Sequence, residues 1–382
     1  MRHFAMVIRQ MATVAVVQPE EKQVLLTRSG YEVSEVFQAF RTSLGESGAN
    51  AIGRALHFGI ELVCSDGLDI WKKVCWEYAI FHVGLASPRI FVYLRKRFSE
   101  LEALVKKYPN EHLYRDEEFQ TRISEIIYVL HGCPRRASVK WPPVGHETHQ
   151  EGWLRLVKQA PEVAAVSRVW KHESDMPPMR TAACELVKAC TEGATEKALF
   201  WVRWLLEEDS IVRKANMGRG LTTMERGPAN LNSKKRTDQG YFLLAVFAEV
   251  YKDLAAKNVV RMHEEFQCLL DIWRDPSIHF TMKQKRELLG LLVLLLAEVP
   301  KWKVPAAPSL VKDAIQLSRA VGQCYRFFLE ILQYPPVSSV VIKAGAKKRP
   351  VKRIKETDKG KMNLEQHLAA YDQAINSYLG LD

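Results

Sequence analysis

The run 288–297, Leu-Leu-Gly-Leu-Leu-Val-Leu-Leu-Leu-Ala, constrains this chain more than any other stretch. It is apolar on every side of a helix and therefore needs protein all round it. Glu287 and Glu298 bound it, and ten residues fall far short of the roughly 20 that a membrane span requires. A buried core helix over 281–299 is expected. The segment 238–256, apolar nearly all round from Tyr241 to Val250, reads as a second central helix.

Around these two, apolar residues recur at helical spacings with few interruptions. Val33, Val36, Phe37 and Phe40 mark a helix over 31–44, and Ile52, Ala55, Leu56, Ile60 and Val63 one over 51–64. Leu68, Trp71, Val74, Cys75, Tyr78, Ala79 and His82 share a face over 67–83. Residues 84–88 break the pattern; Ser87 is placed to cap a helix over 89–107 with Pro88 in its first turn. A helix over 117–130 opens on Glu117 and Glu118, as suits a helix N-terminus. Prolines 134, 142 and 143 keep 133–149 irregular, and a module boundary falls near 150. Further helices are expected over 151–159, 180–190, 195–209, 259–273 and 309–333. With 382 residues the chain exceeds what one core usually holds. The expected fold is therefore all-α, with two tandem helical modules over 30–149 and 150–336. An arm over 1–29, either supplying a short strand at 23–26 or simply mobile, precedes them; a basic linker over 337–362 and a C-terminal helix within 363–382 follow.

The two halves share blocks in the same order. Ala55, Leu56, Phe58 and Leu62 correspond to Ala198, Leu199, Trp201 and Leu205, and Trp76-Glu77-Tyr78 to Ala248-Glu249-Val250. Pro134 with Val139-Lys140-Trp141-Pro142 corresponds to Pro300 with Trp302-Lys303-Val304-Pro305, and the extra length of the second half falls within 210–237.

The first copy also carries Ala-Leu-x-Phe at 55–58, Gly84-Leu85-Ala86-Ser87-Pro88, and Cys133-Pro134-Arg135-Arg136-Ala137-Ser138-Val139. In these motifs it resembles the C-terminal helical domain of replication-associated recombination protein A, whose eukaryotic members are the Werner-helicase-interacting ATPases. The resemblance covers residues 50–141. It implies a clamp-loader-type collar, the part that assembles AAA+ subunits into rings. Two departures accompany it: Phe81-His82-Val83 stands where the family has an acidic pair, and Lys72-Lys73 where it has paired arginines. No Gly-x-x-x-x-Gly-Lys-Ser/Thr phosphate loop occurs in the sequence, so the resemblance implies a collar without its motor.

Charge points to an anionic partner. The chain holds 55 Lys and Arg against 44 Asp and Glu, a formal charge of +11 and a pI near 9.2. Residues 210–237 carry Arg213, Lys214, Arg219, Arg226, Lys234, Lys235 and Arg236 against one acid, Glu225. Gly218, Gly220 and Gly227 would let backbone N–H groups approach a phosphate, and a helix opening at Thr237 or Asp238 would add its positive end. A loop of this length is either functional, here as a phosphate-backbone contact, or a solvated, disordered insertion. A second cluster over 343–361 includes Lys347, Lys348, Arg349, Lys352 and Arg353 and reads equally as a nuclear address, a nucleic-acid arm or a tether. Beyond it, Leu364, Leu368, Tyr371, Ile375 and Tyr378 line one side of a helix that docks either on its own protein or on a partner.

Other chemistries find less support. Seven scattered cysteines with no Cys-x-x-Cys suit buried thiols of an intracellular protein, nuclear or cytoplasmic. His131, Cys133, His146 and His149 are zinc-type ligands in one irregular segment, but their spacing matches no common zinc pattern. No hydrolase, metalloprotease or dinucleotide motif is present, so neither catalytic residues nor a cofactor are expected. Together these features suggest a non-enzymatic accessory or scaffold protein of DNA replication or repair, binding nucleic acid and associating with itself or a replication protein, away from membranes. The alternative is an all-helical adaptor between proteins with no nucleic-acid role.

Overall fold

The structure is a computed structural model and describes residues 21–48, 50–150, 152–157, 163–257, 263–298, 310–311, 313–336 and 339–343. After β1 (Glu21–Leu25) come α1 (Val33–Gly45), α2 (Ala51–Cys64) and α3 (Leu68–Tyr78). A π-helical turn (Ala79–Val83) and a 3-10 turn (Gly84–Ala86) follow, then α4 (Arg89–Lys107), α5 (Asn110–Leu113) and α6 (Glu117–Gly132). The second half contains a 3-10 turn (His146–His149), α7 (Trp153–Leu156), α8 (Ala164–Val169), α9 (Pro177–Thr191), α10 (Thr195–Ala215), α11 (Ser233–Arg236), α12 (Gln239–Ala256), α13 (His263–Arg274), α14 (Met282–Ala297) and α15 (Ala314–Ile331). β2 (Ser339–Lys343) closes the series and pairs antiparallel with β1, Glu21 opposite Lys343. The chain is thus all-α apart from one two-stranded ribbon among the described residues. Part of the segment expected as a basic linker supplies that ribbon's second strand.

Local chemistry accounts for several helix ends. Asp116 caps α6 by accepting the Phe119 N–H at 2.8 Å, with Glu117 and Glu118 in the first turn. Thr281 and Gln284 form a reciprocal capping box on α14. Ser87, expected to cap α4, does not; Pro88 occupies that position, and only the Ser87 carbonyl serves the helix, accepting the Ile90 N–H at 3.0 Å. A residue before proline is pushed toward extended backbone, which holds the Ser87 side chain one residue short of the helix. α10 runs six residues past the expected end at 209, because Arg213 pairs with Asp209 one turn earlier and basic residues suit a helix C-terminus.

The set of helix contacts occurs twice. α1, α2 and α3 pack on one another, each packs on α6, and α4 also packs on α6. α9, α10 and α12 pack on one another, each packs on α14, and α13 also packs on α14. The matched residues Ala55, Leu56, Phe58 and Leu62 on α2 are buried, as are Ala198, Leu199, Trp201 and Leu205 on α10. The last matched block, 300–305, lies outside the described residues.

The halves are not separate bodies. α15, expected in the second module, packs on α2 and α6 of the first. Phe328 meets Phe119 with ring centroids 6.4 Å apart, and the Cys324 thiol donates to the Gln120 carbonyl at 3.4 Å. In the other direction, the segment after α6 crosses onto the second half. Glu287 of α14 accepts the Val139 N–H at 2.5 Å, Arg203 of α10 donates to the Pro142 carbonyl at 2.8 Å, and the Trp204 indole to the Thr148 carbonyl at 3.1 Å. Each trailing segment therefore covers the other half. α4 and α13, which hold matching places, touch each other, and Arg95 reaches Asp271 at 2.7 Å across that contact. One continuous apolar core results. α14 crosses it, every residue of 288–297 being buried, and Gly84, at φ +48, brings the first half to within van der Waals reach of Leu291.

Candidate nucleic-acid interface

The loop between α10 and α12 is fixed to the rest of the protein at two places and braced within itself at a third. At its start, buried Asp209 accepts the Arg213 Nε at 2.5 Å and the Leu221 N–H at 2.8 Å. In its middle, the guanidinium of Arg226 lies against buried Asp175 at 2.6 and 2.8 Å, donates to the Val169 carbonyl at 2.8 Å and sits over the Phe242 ring. Asp175 also accepts the N–H groups of Met224 and Lys171, each at 2.8 Å. Burial pushes the Asp175 carboxyl up, but Arg226 and these two amides outweigh it and hold it below its ordinary value. At its end, Glu225 binds Arg236 at 2.8 Å and accepts the Ser233 hydroxyl at 2.5 Å.

These contacts sort the basic residues. Arg213, Arg226 and Arg236 are each paired with an acid of the protein, Arg213 within α10 and the other two so as to hold the loop in shape. Lys214, Arg219 and Lys235 are exposed, and none has a carboxylate partner among the described residues. Lys234 belongs to α11, but its side chain lies outside the described residues, as do Lys347, Lys348, Arg349, Lys352, Arg353 and the segment expected as a C-terminal helix. Nor do the glycines work as expected. A Cβ at Gly220 would strike the Asp209 carboxylate, and one at Gly227 would stand 2.8 Å from the Arg236 Cα, so both make room for the loop's contacts with its own protein. The N-terminus of α12 is likewise filled, since the Asp238 side chain accepts the Gly240 N–H at 2.8 Å.

Lys235 has a neighbour that the sequence did not offer. It lies close enough to Lys285 on α14 for the two charges to repel; burial, the larger effect, also holds the Lys285 amine below its ordinary value, while Asp238 opposes both. In the sequence its signal is Met282-Lys283-Gln284-Lys285-Arg286 just before the leucine run, a basic run without an acid at a helix start.

The zinc-type residues are not brought together. No group of three or more His, Cys, Asp or Glu side chains among the described residues is arranged to hold a metal ion. His149 stacks on Trp204 and its Nδ1 meets Glu208 at 2.6 Å, while His131 is half-buried beside the cation Arg135, which together with burial holds its pKa down. All seven cysteines are buried, and none forms a disulfide. An open depression of about 730 Å³ beside Asp175 is lined by Glu173, Thr222, Thr223 and Glu225 and by no basic residue. No described helix is long and apolar enough to cross a membrane. Among known proteins, no family, no curated relative and no solved structure matches the chain.

Proposed function

We propose that this chain is a non-enzymatic scaffold that holds nucleic acid by its phosphates, as an accessory of DNA replication or repair built from two collar-like helical modules. The observation that carries the reading is the state of the basic stretch from the end of α10 through the loop: Arg213, Arg226 and Arg236 are paired with acids of the protein, while Lys214, Arg219 and Lys235 stand out to solvent without acidic partners among the described residues. Fixed cations lose less freedom on meeting a phosphate than cations on a mobile tether. The replication and repair setting rests on the resemblance of residues 50–141 alone.

The test is binding of labelled single- and double-stranded DNA and RNA over a salt series, comparing the wild type with K214Q/R219Q/K235Q. The expected result is affinity that falls steeply with salt, and a slope shallower by about 0.9 for each duplex phosphate contact removed. A wild type that binds none of the four at low salt would leave the protein-adaptor reading in its place.

A further inference from the structure

The first turns of α14 carry three cations, each laid against an aromatic ring. The Lys283 amine lies 5.1 Å from the centroid of Phe81, Lys285 4.5 Å from that of Trp273, and the Arg286 guanidinium 5.2 Å from that of Trp141. The rings come from three places: the π-helical turn of the first half, α13, and the segment that crosses from the first half to the second. The cations therefore sit over the seam between the halves. None of the three has a carboxylate within ion-pair distance among the described residues. The acids nearby, Glu287 turned inward to the Val139 N–H and Asp238 capping α12, attract these cations but form no ion pair with them.

This placement is electrostatically unfavourable on its own. The N-terminus of a helix carries roughly half a positive charge, and three cations there add to it rather than offset it. Like charges one turn apart, as at 283 and 286, repel further. Each cation–π contact returns only about 0.5–1 kcal/mol at an exposed site. A buried pairing partner would remove the strain; the sequence instead keeps Lys283 and Arg286 exposed, and Lys235 of α11 comes close enough to Lys285 for their charges to repel.

We infer that Lys283, Lys285 and Arg286 form, with Lys235, a second phosphate-contacting row along the seam between the halves, which takes the sugar-phosphate backbone of a nucleic acid strand without reading its bases. The inference rests on the nucleic-acid reading above and extends its surface from the loop to the central helix. Bases are not read because Phe81, Trp273 and Trp141 each carry a cation over one face and none of the three residues is exposed, so the row offers no open ring for a base to stack on. The row therefore contributes affinity and salt dependence but no sequence preference.

The experiment uses the full chain in two parts. Lysine acetylation of the wild type, with and without saturating 30-base-pair random-sequence DNA, reads the site directly. Protection of Lys283 several-fold over Lys106 and Lys107, at the far end of α4, is expected. Anisotropy titrations of K283Q/R286Q, checked for native circular dichroism, should show a salt slope shallower by about 1.8 for two lost contacts, and K283R/R286K should restore it. If the wild type binds DNA but Lys283 is acetylated equally fast in the complex, the seam row is overturned while the loop reading stands. A wild type that binds no nucleic acid at low salt overturns both.

Discussion

At the scale of single residues, the loop arginines invert the usual expectation that surface cations serve partners. Arg226 is nearly buried, and its contact with Asp175 spans 51 positions of sequence. R226A would leave a buried carboxylate without its main counter-charge, a loss of about 3 kcal/mol at neutral pH and a clear drop in the denaturant midpoint. The pH dependence follows from Asp175. Its folded pKa lies below the unfolded one, so the stability it contributes is present above the ordinary carboxylate range and is lost as pH falls through the depressed value. The gap between wild type and R226A should accordingly narrow as pH falls from about 7 toward about 3.

Glu287 has the opposite sign: burial raises its carboxyl, and the Val139 N–H only partly offsets this. Its stabilising share is present at low pH and lost as pH rises through the folded value. E287Q, neutral at every pH, should gain on the wild type in urea melts between about pH 4 and 7, and an unchanged difference would remove Glu287 from the balance. None of these roles was readable from the sequence. Composition distinguishes a basic segment from an acidic one, but whether Arg226 faces water or Asp175 is decided by chain folding over those 51 positions.

Elements were far more legible. Periodicity located α1, α2 and α6 to within a few residues, because each carries a stripe that only a helix can place on one side, while α12 and α14 were marked by runs that are apolar all round and α4 by the Ser-Pro at its start. What a stripe cannot state is its partner, which is why α15 was assigned to the half it follows rather than the half it covers. Short pieces such as α5 and α8, with one turn or little more, leave no period to detect. The crossing segment 133–149 looked like a mere joint, yet Gly290 is the seat made for it. A Cβ there would stand 2.8 Å from Trp141 and 3.0 Å from Val139. G290A would gain about 1 kcal/mol of helix propensity, but overpacking against a ring and a branched side chain costs about 1–3 kcal/mol. The variant should melt lower than the wild type and show Trp141 more open to acrylamide quenching, whereas a higher melting point would mean that the segment is loosely seated.

At the scale of the molecule, the two sets of helix contacts exchange their covers. Residues 1–150 without α15 would expose the surface on α2 and α6 that buries Phe327, Phe328 and Ile331. Each such side chain is worth about 1.5–3 kcal/mol when buried, so the loss approaches the 5–15 kcal/mol that stabilises a whole domain. Residues 151–382 without the crossing segment would in turn lose the cover over Gly290, Arg203 and Trp204. Repeated contacts alone would suggest two independent domains joined by a linker, and the exchanged covers argue against that independence. Cut between 150 and 151 and produced together, the two pieces should copurify as a one-to-one complex with the helicity and single cooperative melt of the intact chain. Produced apart, each should bind a hydrophobic dye and melt without cooperativity, and a first piece that folds cooperatively by itself would mean that α15 is an accessory rather than half of a mutual lock. The seam row on α14 exists only when both halves are present, because Phe81 and Trp141 come from one and Lys283 and Arg286 from the other. The reassembled complex should therefore bind DNA with the salt slope of the intact chain, and the second piece alone with a shallower one.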